Sequence, residues 1–201
     1  MPENRDLTTK EKILKHSTAL FCDLGYSKTS VRAIARAVGI RESALYNHFA
    51  NKEAIFIEAT KDIFSSPFPT KDEDIKELAL KGKVYLHKIA TEYKLLTFDK
   101  KSENMFRLLL IELFSNDAIR DEFIKVLHEQ NIKRLSEAFF IMMQNSLIRS
   151  ADPMLVAYEF LAGLFYIRFH VAILRFDSKS TSTLSTQFEK HVEFFWDGIK
   201  L

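Results

Sequence analysis

Residues Gly25 to Glu53 read GYSKTSVRAIARAVGIRESALYNHFANKE. Val31, Ile34, Ala35 and Val38 recur at helical spacing, Gly39 stops that helix, and Ala44, Leu45 and Phe49 mark a second apolar face. Two short helices joined by a tight glycine turn predict a helix-turn-helix, whose second helix can lie in a major groove. Thr29 or Ser30 can cap the first helix. Arg41, Glu42 and Ser43 fall at the exposed start of the second, followed by Tyr46, Asn47, His48 and Lys52. Ser30 offers a hydroxyl or a free amide to a phosphate. Tyr46, Asn47, His48 and Lys52 can each donate to phosphates or base edges.

Arg41 cannot accept a hydrogen bond from the free amides of the second helix, so the helix starts weakly capped unless a phosphate supplies the contact. Glu42 brings a negative charge to this face, which is costly beside DNA unless it accepts from a cytosine or holds Arg41 in place.

Upstream, Glu11 stands three residues after Thr8, the capping-box distance. Ile13, Leu14, Ser17, Leu20, Phe21 and Leu24 form one face of a first helix ending at Gly25. Residues 1–8 read as a charged arm. Asn51 can cap a fourth helix to about Phe64, packed through Ile55, Phe56, Ala59, Ile63 and Phe64. Ser65 to Thr70 carries two prolines and breaks the periodicity.

The remainder predicts helices throughout: Asp72 to about Thr97 with Gly82 as a weak interior point, Asp99 to Phe114, Asp117 to about Leu147, Pro153 to about Phe176, and a last one ending near Leu201. Asn116 and Asp152 are the cap residues, and Pro153 sits at a first turn, where proline is tolerated. Only 5 Gly and 4 Pro in 201 residues argue against a loop-rich β architecture. With 47% apolar and 28% charged residues the composition is that of a folded chain, and the 18 Phe suit a core of bulky rings. A net charge of +2 is compatible with one basic face on a balanced body.

The start is charged and no stretch supplies 18 uninterrupted apolar residues, so a cytoplasmic protein with no membrane partner is expected. Cys22, the only cysteine, cannot form an internal disulfide. HExxH and GxSxG are absent, and His16, Cys22 and His48 lie on separate helices. Neither an enzyme, a metal site nor a cofactor is expected.

Gly25-Tyr26, Thr29-Ser30-Val31, Ile34-Ala35, Val38-Gly39-Ile40, Leu45-Tyr46, His48-Phe49 and Lys52-Glu53 together make this stretch resemble the amino-terminal domain of the tetracycline-repressor (TetR) family of bacterial regulators. The family commonly has Ser or Thr where Arg41 stands. The resemblance is specific from about Thr9 to Phe56 and architectural beyond. It implies an all-α fold: a three-helix amino-terminal bundle with the helix-turn-helix (1–51), joined to a larger helical regulatory and dimerisation domain (52–201).

It further implies a homodimer on double-stranded operator DNA, formed by the last two major helices, with Phe160, Val171, Phe188, Val192 and Phe195 as candidate interface residues. A small-molecule effector would bind in the body and alter the spacing of the heads. Tyr93, Phe106, Arg107, Leu110, Phe139, Met143, Tyr158, Phe165 and Tyr166 are the candidate lining, aromatic enough for a hydrophobic or amphipathic ligand. A ligand-responsive regulator, most simply a repressor, is the expected function. A helical interaction module without DNA function is the alternative.

Overall fold

The structure is a computed structural model describing residues 7–65 and 72–201. The arm before Leu7 and most of the proline-containing linker lie outside the described residues. By its internal packing the chain divides into two compact units, 1–62 with 104–123, and 63–103 with 124–201. A boundary after Asn51 does not follow this division: packing assigns the start of the fourth helix, and the distant segment 104–123, to the head unit.

In the first unit, α1 (Thr9–Leu24) opens with the capping box: the Glu11 amide donates to Thr8 Oγ1 at 3.3 Å, and the Thr8 amide to Glu11 Oε2 at 2.7 Å. Gly25 ends it at φ +83°. Of the two candidate caps on α2 (Val31–Val38), Ser30 accepts from the Ala33 amide at 3.1 Å. Thr29 is instead buried, its hydroxyl donating to the carbonyls of Gly25 and Leu20. Gly39, at φ +80°, accomplishes the turn into α3 (Glu42–Tyr46).

α4 (Lys52–Ser65) is capped by Asn51, whose Oδ1 accepts from the Ala54 amide at 2.8 Å. Ile13, Phe21, Ile34, Leu45, Ile55 and Phe56 are wholly buried and make the core of the head. At its centre Phe21, Tyr26 and Phe56 pack ring against ring, with centroids 4.9–5.7 Å apart. The same unit includes the carboxyl-terminal part of α7 (Lys100–Glu112) and most of α8 (Asp117–Ile124).

In the second unit, the expected helix from Asp72 to Thr97 is two: α5 (Asp72–Ala79) and α6 (Lys83–Phe98). Gly82 breaks it at φ +53°, and the Trp196 ring lies so close that a Cβ there would be 2.9 Å from it. The expected helix from Asp117 is continuous in path but runs as a π-helix over Lys125–Ile132 before α9 (Lys133–Gln144). α10 (Pro153–Phe176) begins as expected, with Asp152 accepting from the Met154 amide at 2.8 Å. A 3-10 turn at Ser182–Leu184 precedes α11 (Gln187–Ile199).

α10 packs on α6, α9 and α11, and α11 also packs on α6. Ion pairs Lys83–Glu193 and Lys94–Glu189, and a hydrogen bond between His87 and Glu193, run along the α6–α11 boundary. α10 is the one helix among the described residues long and apolar enough to cross a membrane, and half of that window is buried within the fold.

Candidate nucleic-acid interface

Leu45 and Phe49 point into the head and hold α3 by one side. The opposite side is open: Arg41, Glu42, Ser43, Tyr46, Asn47 and His48 are all exposed, Tyr46 by 52%. The four-residue period of the anchors is what gathers the polar set on the outer face. Ser30 is exposed as well. Arg41 is the residue before α3 and makes no side-chain cap, as its chemistry dictates.

The charge of Glu42, for which a cytosine or Arg41 stood as alternatives, meets a third group. Arg32 on α2 approaches it, Nε to Oε1 3.9 Å, rather than Arg41. This leaves Arg41 uncommitted to that carboxylate. Lys28, Arg32 and Arg36 are also exposed on and before α2, three cations that the sequence reading did not assign to this surface. Their signal was available: Arg32 and Arg36 are four apart, on the side of the helix away from Ile34.

Lys52 behaves differently from the rest of the set. Its ammonium lies 4.1 Å from the Tyr26 ring centroid and donates to the Tyr26 carbonyl at 2.9 Å. It is therefore engaged with the head's own chain. Lys10 is likewise engaged: it pairs with Glu58 at 2.9 Å and sits over the Phe49 ring. Lys61 and Lys10 together hold the Glu58 carboxyl below its ordinary range.

This surface, two short helices at a glycine turn with one helix presenting only polar side chains, is matched by a family model. The model for bacterial regulatory proteins of the tetR family matches residues 13–59. The chain carries the amino-terminal domain of the TetR family. Curated relatives agree over the same region: the negative regulator of the biofilm operon icaADBC, IcaR, from Staphylococcus epidermidis is 34% identical over 56 residues, or 28% of this chain. Its counterpart from Staphylococcus aureus strain Newman is 36% identical over 55 residues, 27% of this chain. Both matches span only 30% of the relatives' length.

Solved structures extend the likeness of fold to the whole chain. SmeT, the repressor of the Stenotrophomonas maltophilia multidrug efflux pump SmeDEF, superposes with a TM-score of 0.70 at 17% identity, covering 99% of this chain and 93% of that one. The fatty acid degradation regulator FadR from Bacillus halodurans gives 0.72 at 17% identity, covering 97% and 98%. The all-α TetR architecture, an amino-terminal bundle joined to a larger helical domain, is thereby shown.

The candidate body residues fall in several environments. Tyr93 and Phe139 are buried in the second unit, while Met143 and Phe165 are half-buried there. Phe106, buried, and Arg107 and Leu110, half-buried, belong to the first unit. Tyr158 and Tyr166 are exposed, because α10 turns Ala157, Phe160, Leu161, Leu164, Arg168 and Val171 inward and puts these tyrosines on its other side. Tyr85, one residue missed, is buried about two turns before Tyr93 on α6, and its hydroxyl has no hydrogen-bond partner. Burial pushes both phenols up to about 12 and lowers the buried Arg168 guanidinium to about 10.

The interface candidates need a correction of side. Phe160, Val171, Phe188 and Val192 are buried within a single chain, and Phe195 packs against that core. α10 and α11 are apolar on more than one face, and this set is the inward one. Outward on α10 are Leu155, Tyr158, Tyr166, Phe169, Ile173 and Phe176, and on α11 Phe194, 83% exposed.

Proposed function

We propose that the protein is a dimeric, ligand-responsive transcriptional regulator, most simply a repressor released from a palindromic operator by a hydrophobic or amphipathic small molecule. The observation that carries this is the polar outer face of α3, held out by Leu45 and Phe49 on a TetR head. Arg41, with its fork free of Glu42, reads a guanine edge. Ser30, Ser43, Tyr46, Asn47 and His48 position the duplex, with Lys28, Arg32 and Arg36 adding positive charge.

The homodimer is supported by the outward side of α10. Leu155, Tyr158, Ala162, Tyr166, Phe169, Ile173 and Phe176 follow each other at steps of three and four, an unbroken seam that water would otherwise cover. Two copies related by a two-fold axis place two heads on one face of the duplex, about 34–36 Å apart in the simplest case. An effector is supported by the buried phenols of Tyr85 and Tyr93, polar groups set among aromatic and aliphatic side chains. SmeT has been solved as a complex with triclosan, which supports a small molecule in that role here too.

Selection of genomic fragments by the purified protein, followed by gel shift at low and moderate salt, tests the DNA half. Saturable binding to particular fragments over bulk DNA is expected. Uniform, purely salt-controlled binding would instead support a helical interaction module.

A further inference from the structure

Two lysines of the head lie over aromatic rings, and those rings stand at opposite ends of the helix-turn-helix. Tyr26 falls in the turn before α2 and Phe49 just after α3, and both are buried. Lys52, the first residue of α4, places its ammonium 4.1 Å from the Tyr26 ring centroid and donates to the Tyr26 carbonyl at 2.9 Å. Lys10, in the first turn of α1, lies 5.6 Å from the Phe49 ring centroid and pairs with Glu58 of α4 at 2.9 Å.

The carbonyl that Lys52 holds is also the one that closes the turn. It accepts from the Thr29 amide at 3.2 Å, and the Thr29 hydroxyl fastens the same loop by donating to the Gly25 carbonyl at 2.8 Å. The next residue, Ser30, caps α2. The Tyr26 ring also packs edge-on against Phe56 of α4, centroids 4.9 Å apart. At the far end, the Phe49 amide donates to the Leu45 carbonyl at 3.1 Å, so the ring that meets Lys10 belongs to the turn that ends α3.

We infer that Lys52 and Lys10 are positioning residues for α3, acting through Tyr26 and Phe49, and that both stay on their rings when DNA binds. A cation over a ring face is attracted by the ring quadrupole, and more strongly as water is removed. Buried Tyr26, with its carbonyl as a second acceptor, makes Lys52 the stronger tie. Lys10, whose side chain is 49% exposed, is the weaker. α4 and α1 are thereby fastened to the start and the end of the α2–α3 pair, and the direction in which Arg41 and its neighbours face follows from that. Leaving for a phosphate would cost Lys52 both the ring and the carbonyl, and would loosen the turn that leads into α2.

This role rests on the DNA-binding function proposed above, so one arm of the test begins without DNA. Protons over an aromatic face are shielded. The Lys52 Hε resonances, identified by their loss in Lys52→Met, should therefore lie upfield in the free protein. They should remain there when the genomic fragment selected by the wild-type protein is added. Unshifted protons in the free protein would refute the tie, whatever the protein binds. A shift that disappears on adding the fragment would show Lys52 leaving for the DNA and overturn the inference.

The second arm titrates Lys52→Met and Lys10→Met with that fragment and with bulk DNA, at a temperature where each is folded by circular dichroism. Lys52→Met should weaken binding to the selected fragment about 5-fold or more, the lower end of the cost of one base contact. Lys10→Met should lose less. Binding to bulk DNA and the salt slope should be nearly unchanged in both. A slope reduced by nearly one, with equal loss on both DNAs, would return that lysine to the phosphates and overturn its positioning role. A lower melting temperature with undiminished affinity would make the ties purely structural and overturn it as well. If no fragment is selected at all, the DNA-binding function fails and this role fails with it, while the shielded protons still establish or refute the tie.

Discussion

Replacing Gly163 by alanine sets two effects of opposite sign against each other. Alanine is the better helix former by about 1 kcal/mol, and Gly163 lies in the interior of α10. Against this, a Cβ at Gly163 would come within 2.3 Å of His191 Cε1 and 2.7 Å of both ring nitrogens. Ordinary contact begins near 3.4 Å, so the ring would have to retreat by roughly 1 Å. It has little freedom to do so: His191 Nε2 lies 2.9 Å from the Phe160 carbonyl, and the ring stacks on Phe160 at 5.4 Å with Phe195 at 5.8 Å. Overpacking costs about 1–3 kcal/mol, and loss of the hydrogen bond adds about 0.5–1.5 kcal/mol. The expected net loss is about 1–3 kcal/mol, or a fall in Tm of roughly 3–9 °C for a chain of this size. Thermal melts at fixed protein concentration measure it, since the dimer proposed above would make Tm concentration-dependent. The same substitution in a His191→Ala background should be neutral or stabilising, because the obstructing ring is gone. A stabilised Gly163→Ala in the wild-type background, or an equal loss in both, would refute the argument.

Four further outcomes follow from the geometry. His191 is held below its ordinary value by burial, so the unfolded chain binds its proton more tightly; stability should fall as pH drops below about 6.5, and His191→Phe should flatten that part of a Tm–pH curve. Ser30→Ala removes the α2 cap and should cost about 1 kcal/mol in a denaturant melt. Phe169→Glu or Ile173→Glu should give a helical monomer by analytical ultracentrifugation, whereas Val192→Glu should unfold the body. Arg41→Ala should cost about 1–3 kcal/mol against the best site and relax preference at one base pair per half-site; an equal loss on every sequence would move Arg41 to the backbone.

Local signals in the sequence proved readable where the chemistry is local. The Thr8–Glu11 box, the Asn51 and Asp152 caps and the Gly39 turn need only neighbours in the chain, and all are found. Gly82 was visible as a weak point, but the break there is tied to Trp196, more than a hundred residues away. The two-sided apolar pattern of α10 and α11 could not say which side faces inward. Phe160 and Val192 therefore stood as candidates for a partner although they face inward. On the candidate DNA face, the exposed set from Arg41 to His48 followed from the period of Leu45 and Phe49. The pairing of Glu42 with Arg32, and the engagement of Lys52 by Tyr26, depend on how separate helices cross. No spacing within one helix encodes that.

Footprinting on a selected genomic fragment tests the central claim most directly. A dimer reading DNA through two copies of α3 should protect two half-sites of related, inverted sequence. Their centres should lie about one helical turn or a whole multiple apart, and the protection should be lost in Arg41→Ala or in the Phe169→Glu monomer. A single unsymmetrical patch, or protection that persists in the monomer with undiminished affinity, would contradict the account.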